Sequence, residues 1–337
     1  MVLELDVEKL SVGVVGFGKM GMLHAGILNF LPEVQLTVIC ERSGLIRKFL
    51  KKVFRSVDVV DEVDRLSSFD LDATYVTTPI GSHFSVVKSI YENRIAQNLF
   101  VEKTLASNFG EARKICEFAR EFGGVNMVGY MRRFCVTFMK AKDLLSEDIV
   151  GEPLSFRAYA YSSDFFGFDG GLKVKTPKVG VLRDLGCHAL DLALWFFGDL
   201  KVTNARVESV VNEASIDSAY FGVEASSGLV GEFSVSWCVD GYRMPEVGFV
   251  IEGSEGRLTV NDDELGLNLK DGSVHKWFRH DLGDRVDFWL GSPEYYREDE
   301  RFVKAVARGK DVEPSFETAA KVDSLIDEVL ARADRLE

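Results

Sequence analysis

The sequence predicts a two-domain α/β protein: an N-terminal doubly wound parallel sheet, then a C-terminal α+β domain with a large, mostly antiparallel open sheet. Up to about residue 130, short apolar runs alternate with helix-compatible segments, which favours a parallel sheet with helices on both faces. From about residue 151 to 280, strand-like runs follow one another through short links that contain glycine, which favours antiparallel pairing. A length of 337 residues suits two domains, which we place at 1–131 and 132–337, with a terminal helix able to pack back on the first.

The elements follow from these periodicities in chain order. In the first half the predicted strands are Val12–Val15, Glu33–Cys40, Val57–Val60, Asp72–Thr78, Leu99–Glu102 and Val125–Tyr130. The helices between them run to about Leu31, and over Gly44–Phe54, Ser82–Asn93, Ser107–Phe122 and Phe134–Ser146. In the second half the predicted strands are Leu154–Tyr161, Val202–Asn212, Ala219–Ala225, Leu229–Val239, Val247–Glu252, Gly256–Val260, Leu265–Leu269 and Val274–Arg279. The predicted helices there are Val181–Phe197, Pro293–Arg308 and Glu317–Arg335.

Composition and charge exclude several classes of protein. The formal net charge of −13 argues against nucleic acid as the main partner, because there is no basic excess to neutralise phosphates. The first ten residues lack the basic and apolar regions of a secretory signal, and Ala189–Leu200 is too short and too charged to span a bilayer. Five widely spaced cysteines without a CxxC pair indicate reduced thiols. We therefore expect a cytoplasmic protein with no membrane or nucleic-acid partner.

A glycine-rich turn follows the first predicted strand. Gly16, Gly18 and Gly21 come directly after the strand and open a helix, the arrangement that cradles a dinucleotide pyrophosphate in a Rossmann domain. The first glycine permits the tight turn, the second lets phosphate approach, and the third lets helix and strand pack closely. The helix N-terminus adds free N–H groups and a positive dipole end. The predicted pyrophosphate contacts are Gly16, Phe17, Gly18, Lys19, Met20 and Gly21. The alternative is a turn without ligand, but it gives no reason for the conformational entropy that three glycines lose on folding.

An acidic residue ends the second predicted strand. Glu41 follows the first glycine at close to the offset of about 20 residues expected for the acid that binds the adenosine ribose. Its carboxylate would repel a 2′-phosphate, so NAD is favoured over NADP. Arg42 keeps NADP open as the alternative, since its guanidinium could stack on adenine or pair with a 2′-phosphate. A solvated strand end is the structural alternative for Glu41.

Two further strand ends fall on the same edge of the predicted sheet. In parallel sheets, ligands bind beyond the carboxyl ends of the strands. We therefore extend the cofactor site to Thr77, Thr78, Pro79, His83, Glu102 and Lys103. Lys103 is also a candidate to polarise a substrate oxygen or to bind a substrate anion, against the default of a surface lysine.

The second half contains one candidate for proton transfer. In the predicted helix Val181–Phe197, Asp184 and His188 are four residues apart and share a face, with Asp191 also near the histidine. Histidine exchanges protons near neutral pH, and a neighbouring carboxylate fixes its tautomer. A helix cap with a structural histidine is one alternative. A metal site on Asp-His-Asp is another, disfavoured because no further His or Glu lies nearby in sequence. The irregular segment Ser162–Gly180 is typical of a binding loop or of a mobile connection.

Four motifs in this order carry a resemblance to a known family. The segments VGVVGFGKMGMLHA, TTPIGSH, VEKTLA and DLGCHALDL together resemble the Gfo/Idh/MocA family, the glucose–fructose oxidoreductase and inositol dehydrogenase superfamily. The family's EKP motif matches at Glu102 and Lys103 but has Thr104 in place of proline. Its D-x-G-x-H-x-x-D motif matches fully, at Asp184, Gly186, His188 and Asp191.

The resemblance implies a Rossmann domain at 1–131, and a substrate-binding and oligomerisation domain at 132–337. It implies a dehydrogenase that transfers a hydride between NAD, or NADP, and a secondary alcohol of a sugar, polyol or related cyclic compound. Lys103 and His188 would flank the reacting carbon, Asp184 would support His188, and either Lys103 or His188 could be the general base. Beyond the resemblance, we expect the substrate contacts to be Lys103, Arg132, Tyr161, Asp184, His188 and the loop Phe165–Lys178.

The resemblance also implies a homodimer or homotetramer assembled through the C-terminal sheet. Two other functions stay open: a dinucleotide-binding regulator without turnover, and a nucleotide-sugar or imine reductase on the same fold. The regulator is disfavoured because both Lys103 and His188 are present. Thr104 leaves the orientation of Lys103 toward the site undecided, because proline would have restricted φ directly after the lysine.

Overall fold

The chain forms two compact units. The computed structural model describes residues 9–165, 179–211 and 215–333, so the predicted loop Phe165–Lys178 lies outside the described residues from position 166 onward. The first unit comprises Met1–Met131 and Val286–Lys321, and the second comprises Arg132–Arg285 and Val322–Glu337. The division therefore differs from 1–131 and 132–337 in one respect, because 286–321 belongs to the first unit.

The first unit is built on a six-stranded, all-parallel sheet, and the predicted doubly wound fold is confirmed. The strand order is β3-β2-β1-β4-β5-β6, in which the crossovers change direction at β1 and β4. The strands are Leu10–Val15 (β1), Val34–Cys40 (β2), Asp58–Val60 (β3), Ala73–Val76 (β4), Asn98–Glu102 (β5) and Asn126–Gly129 (β6). The space beyond the carboxyl ends of β1 and β4 is therefore the expected ligand position in such a sheet.

Helices connect these strands. They are Lys19–Phe30 (α1), Gly44–Val53 (α2), His83–Glu92 (α3) and Phe109–Phe122 (α4), with 3-10 turns at Val63–Ser68 and Ile80–Ser82. α4 begins where sequence predicts, because the Asn108 side chain accepts a hydrogen bond from the Glu111 amide at 3.0 Å. A later helix, Pro293–Arg308 (α7), packs against α1, which explains why 286–321 belongs to this unit.

The second unit contains an eight-stranded sheet that is antiparallel except for one pair. Its order is β14-β13-β12-β11-β7-β10-β9-β8, and β7 with β10 is the parallel pair. The strands are Pro153–Tyr161 (β7), Leu200–Glu208 (β8), Ser218–Ala225 (β9), Val230–Ser236 (β10), Glu246–Gly253 (β11), Gly256–Asn261 (β12), Glu264–Leu269 (β13) and Val274–Phe278 (β14). The predicted mostly antiparallel sheet is thereby confirmed.

Helices pack on one face of this sheet. They are Val136–Ser146 (α5) and Cys187–Phe197 (α6), with 3-10 turns at Met131–Phe134 and Arg279–Leu282, and the chain closes with Phe316–Ala333 (α8). α6 is largely apolar, with His188 and Asp191 as its polar residues, and it is buried almost throughout. Phe156 of β7 stacks on Phe197 of α6 with ring centroids 4.7 Å apart. Every helix within the described ranges is too short or too polar to cross a membrane.

A buried ion pair anchors α6. Arg133 donates two hydrogen bonds to the Asp191 carboxylate, at 2.8 Å from Nε and 2.6 Å from Nη2. The Asp191 side chain is 1% exposed, and the Arg133 guanidinium also lies over the Trp195 ring. Such a pair costs desolvation energy when it forms, but removing one partner leaves a charge in the core.

Replacing Arg133 should therefore destabilise the fold strongly. We expect Arg133→Met to lower the free energy of unfolding by about 3–5 kcal/mol, because Asp191 loses the cation that compensates its burial. Chemical denaturation measures this change. The control is Arg113→Met on α4: the Arg113 side chain is 64% exposed and pairs with Glu117, so its loss should cost below about 1 kcal/mol. Equal losses in the two variants would contradict the anchoring role.

Candidate active site

The glycine turn is held by the end of the neighbouring strand. Gly16 has φ +92°, and a Cβ there would lie 2.8 Å from Thr78 Cγ2, so both backbone conformation and space require glycine. The buried Thr77 hydroxyl donates to the carbonyl oxygens of Val15 and Gly16, at 3.1 and 2.7 Å. Thr77 thus shapes the turn, rather than directing its hydroxyl to the cleft.

The other two glycines of the motif differ in what they meet. A Cβ on Gly21 would overlap the carbonyl oxygen of Gly16, so helix α1 approaches the strand closely only because residue 21 is glycine. Around Gly18 no other described atom lies within 4 Å of a Cβ position, and φ is an ordinary −74°. Neither packing nor backbone conformation demands glycine at 18. Space above the helix N-terminus is what an approaching pyrophosphate needs.

Glu41 is tied to the same turn. The amide of Phe17 donates to one carboxylate oxygen at 2.8 Å, and the amide of Ser43 donates to the other at 2.7 Å. Arg42 is exposed, while the Arg47 guanidinium binds the carbonyl oxygens of Glu41 and Arg42 at 2.8 and 2.6 Å. The negative charge at the end of β2 therefore has a fixed position beside the glycine turn.

A cleft of about 1060 Å³ opens along this edge of the first unit. Ten of the predicted cofactor contacts line it: Gly16, Phe17, Gly18, Lys19, Met20, Glu41, Arg42, Thr77, Thr78 and Pro79. Its size suits a ligand as large as a dinucleotide. Free helix amides, open space at Gly18 and a fixed carboxylate are what the pyrophosphate and a ribose diol would require. The residues present therefore fit NAD.

His83 lies behind the cleft. Its ring is fully buried, with Nδ1 2.9 Å from the carbonyl oxygen of Thr104 and Nε2 2.8 Å from that of Thr78. Burial lowers the pKa of this histidine, while its contacts with the two carbonyl oxygens act in the opposite direction. His83 therefore joins two strand-end loops, and its predicted contact with the cofactor would be indirect.

Thr104, which departs from the family motif, is held by its surroundings. Its side chain is buried, its hydroxyl donates to the Ala106 carbonyl oxygen at 3.1 Å, and its own carbonyl oxygen faces His83. The Lys103–Thr104 peptide bond is cis. The segment after Lys103 thus has its own tertiary contacts where the family usually has proline.

Glu102 and Lys103 end β5, as predicted. Glu102 is buried and Lys103 is half-buried. One Glu102 oxygen accepts from the Lys103 amide at 3.0 Å, and the other lies 2.9 Å from His24 Nε2. His24 in turn contacts Asp299, with Nδ1 2.8 Å from Oδ1. Sequence analysis missed both residues: His24 is a polar residue on the buried face of α1, a usable signal, but nothing in the sequence connects it to Asp299.

In the second unit, Asp184 and His188 lie across a change of helix type. The predicted helix Val181–Phe197 is not uniformly α-helical, because Leu182–Gly186 forms a π-helical turn before α6. The four-residue spacing therefore does not carry ordinary α-helical geometry, although π turns are frequent at functional sites. His188 is buried and Asp184 is half-buried. Arg183 secures the turn through Asp323 at 2.6 Å and through Asp327, both on α8.

Two predicted substrate contacts have other partners in this unit. Arg132 is buried and binds Asp262 at 2.9 Å and the Pro245 carbonyl oxygen at 2.9 Å. Tyr161 stacks on Tyr159 and donates to the Ser234 hydroxyl at 2.7 Å. Since alternate residues of a strand face opposite sides, Tyr161 lies on the sheet face opposite Phe156, which packs on α6. The structure therefore does not bring Tyr161 together with His188.

The metal alternative finds little support in the geometry. Both carboxylate oxygens of Asp191 accept from Arg133, so this aspartate is engaged by a cation of the protein. Within the part of the chain that the structure describes, no group of three or more His, Cys, Asp or Glu side chains could hold a metal ion.

Two family models match the chain. Residues 10–130 match the oxidoreductase family with an NAD-binding Rossmann fold, and residues 138–259 match the GFO/IDH/MocA C-terminal domain. The first unit therefore contains an NAD-binding Rossmann domain, as predicted from the glycine turn.

Similar proteins are named dehydrogenases. The inositol 2-dehydrogenase of Rubrobacter xylanophilus is 26% identical over 267 residues, covering 76% of this chain and 72% of its own. The myo-inositol 2-dehydrogenase of Thermotoga maritima is 22% identical over 320 residues, covering 89% of each chain. A solved structure of levoglucosan dehydrogenase in complex with NADH and levoglucosan superposes with a TM-score of 0.85 at 21% identity, covering 98% of each chain. At this identity the superposition supports the shared fold.

Substitutions at Gly18 and Gly21 should distinguish a loss of NAD affinity from a loss of stability. We expect Gly18→Ala to fold normally but to bind NAD about tenfold or more weakly, because the new methyl group enters space that only the ligand would use. Gly21→Ala should lower the stability of the free protein by about 1–3 kcal/mol, because its Cβ meets the Gly16 carbonyl oxygen. Calorimetric NAD titration and thermal melts measure the two effects. Unchanged NAD affinity in Gly18→Ala would contradict the assigned phosphate position.

Proposed function

We propose that this chain, which belongs to the GFO/IDH/MocA family of oxidoreductases, transfers a hydride between NAD and a secondary alcohol of a sugar, polyol or related cyclic compound. The observation that carries the proposal is the placement of Lys103 at the carboxyl end of β5, the sheet edge that also carries the glycine turn and cleft. The names of the similar dehydrogenases, for inositol and levoglucosan, support the substrate class.

NAD is the proposed cofactor in preference to NADP. Glu41 holds its charge beside the turn through the amides of Phe17 and Ser43. A 2′-phosphate on the adenosine ribose would meet this fixed carboxylate and be repelled, whereas two ribose hydroxyls could donate to it. Arg42 is then left to pack on the adenine ring at the exposed rim of the cleft.

The protein's own task is to hold the alcohol and move its proton. When bound, NAD accepts the hydride and so supplies the redox chemistry. His188 would take the hydroxyl proton, and Asp184 would orient the imidazole and stabilise its protonated form. Lys103 would donate a hydrogen bond to the same oxygen and stabilise the negative charge that develops on it. The two roles of Lys103 and His188 can be exchanged without altering the overall reaction.

The cytosol is the proposed location. Five cysteines without a disulfide among the described residues suit a reducing compartment.

A panel of polyols and sugars tests the function. We expect absorbance of reduced nicotinamide to appear with NAD and at least one inositol or anhydrosugar, and to be weaker with NADP. His188→Ala and Lys103→Met should each lower kcat by about 10²-fold, because each removes a group that acts on the reacting oxygen. Arg113→Met, an exposed residue of α4 outside the candidate site, is the control. NAD binding without turnover on any compound would instead indicate the dinucleotide-binding regulator.

We also propose that the open sheet face of the second unit joins copies of the chain. This face carries Tyr159, Tyr161, Tyr220 and Val230, of which the last two are 45% and 51% exposed. Aromatic and aliphatic side chains on a broad sheet face are typical of a homodimer interface. The proposed assembly is a homodimer or homotetramer.

Sedimentation velocity tests this assembly. The native chain should sediment as a dimer or tetramer, and Val230→Glu should shift it to smaller species, because a buried charge opposes association. The circular dichroism spectrum of Val230→Glu should match the native one, since residue 230 is exposed within one chain. A monomeric native chain would contradict the proposal.

A further inference from the structure

His24 is, like His83, a fully buried histidine of the first unit, and it lies between two carboxylates. It lies on the buried face of α1 with no exposed surface. Its Nε2 is 2.9 Å from Glu102 Oε1, and its Nδ1 is 2.8 and 3.0 Å from the two oxygens of Asp299. Three elements, α1, β5 and α7, therefore meet at one ring.

The geometry favours a charged ring. Each imidazole nitrogen faces a carboxylate oxygen at hydrogen-bond distance. A protonated ring donates to both, whereas a neutral ring has only one N–H and would need a protonated carboxyl at its other nitrogen. Burial raises the pKa of Asp299, while the charge and hydrogen bond of His24 lower it. Burial by itself lowers the pKa of His24, but the charges and hydrogen bonds of Asp299 and Glu102 outweigh burial and raise it well above the usual value. Aromatic rings complete the enclosure: the centroids of Phe100 and Tyr75 lie 5.1 and 5.7 Å away.

Glu102 connects His24 to Lys103 through two hydrogen bonds. One oxygen of Glu102 accepts from His24, and its other oxygen accepts from the Lys103 amide at 3.0 Å. Protonated His24 thus fixes the rotation of the Glu102 carboxylate, so the second oxygen stays available for the Lys103 backbone.

We propose that His24 and Asp299 are positioning residues for Lys103: together they orient Glu102, which fixes the backbone from which the lysine side chain reaches the substrate oxygen. The inference rests on the proposed function of Lys103. His24 also belongs to α1, whose N-terminus is the candidate pyrophosphate site. Its contact with Glu102 therefore connects the helix that would bind the cofactor to the strand end that carries Lys103. Sites held to within fractions of an ångström depend on such supports.

The surroundings of His24 determine how the network responds to pH. The titratable groups that face it are Glu102 from β5, Asp299 and Tyr295 from α7, and Tyr75 from β4. Glu298 adds a negative charge close to Tyr75. With both carboxylates present, His24 keeps its proton through neutral pH. Without the charge of Asp299, His24 should lose its proton at a lower pH, and Glu102 would then lose its cation as pH rises.

The decisive variant is Asp299→Asn, which keeps the shape of the side chain and removes its charge. We expect kcat at pH 8 to fall by about 10- to 100-fold, with NAD affinity unchanged, because the turn at Gly16–Gly21 is untouched. Relative to the native protein at the same pH, activity should recover as the pH is lowered, because His24 regains its proton. A purely structural residue would not produce recovery at low pH. Val87→Ala, a fully buried residue of α3 outside the network, controls for loss of stability alone and should leave the pH profile unaltered.

Two readouts do not depend on turnover. Nitrogen chemical shifts of the histidine rings should show His24 as an imidazolium at pH 8 in the native protein and as a neutral ring in Asp299→Asn; assignment is practical because the chain has five histidines. The acylation rate of Lys103 by acetic anhydride, measured by peptide mass spectrometry against Lys114, should change in the same variant.

The outcomes distinguish the two proposals. If the native protein oxidises no compound of the panel, the proposed function fails, and the ring shifts and Lys103 acylation decide the positioning role. A neutral His24 in the native protein at pH 7 would overturn the inference. So would an Asp299→Asn variant whose Lys103 acylation, kcat and pH profile all match those of the native protein.

Discussion

The first unit depends on one buried charge network. Asp299, His24 and Glu102 join α7, α1 and β5 through contacts of 2.8 to 2.9 Å, all but Glu102 fully excluded from solvent. A buried charge is tolerated only where partners compensate it, so these elements cannot shift independently without exposing an unpaired charge to the core. The constraint draws residues 286–321 into the Rossmann unit and gives the end of β5 its geometry.

In the second unit, buried ion pairs likewise support the candidate catalytic segment. Arg133 binds Asp191 on α6, and Arg183 binds Asp323 on α8. Each arginine presents a planar fork that suits a carboxylate, which favours one orientation over many. Arg183 therefore secures the π-helical turn directly beside Asp184, the residue proposed to orient His188. Arg132, a predicted substrate contact, and Asp191, a disfavoured metal ligand, both have charged partners within the protein.

Local patterns were sufficient where a function depends on adjacent residues. The glycine turn, Glu41, and Glu102-Lys103 at the end of β5 were predicted because strand, turn and helix are specified over a few residues. The parallel and antiparallel sheets followed from the same periodicities, and family membership is confirmed by both matched models. The partners of Arg132 and Tyr161 within the protein could not be predicted, because the partner of a polar side chain depends on which strands become neighbours.

The sequence by itself determined the fold class, the dinucleotide turn and the chemical types available at the strand ends. Tertiary structure decided how they are supported: Asp299 lies 275 positions from His24, and no local signal couples them. It also replaced the expected uniform helix around Asp184 with a π turn, and it enclosed Thr104 with contacts of its own. The physical reason is that hydrogen bonds and charge pairing act through space, whereas propensity and periodicity act along the chain.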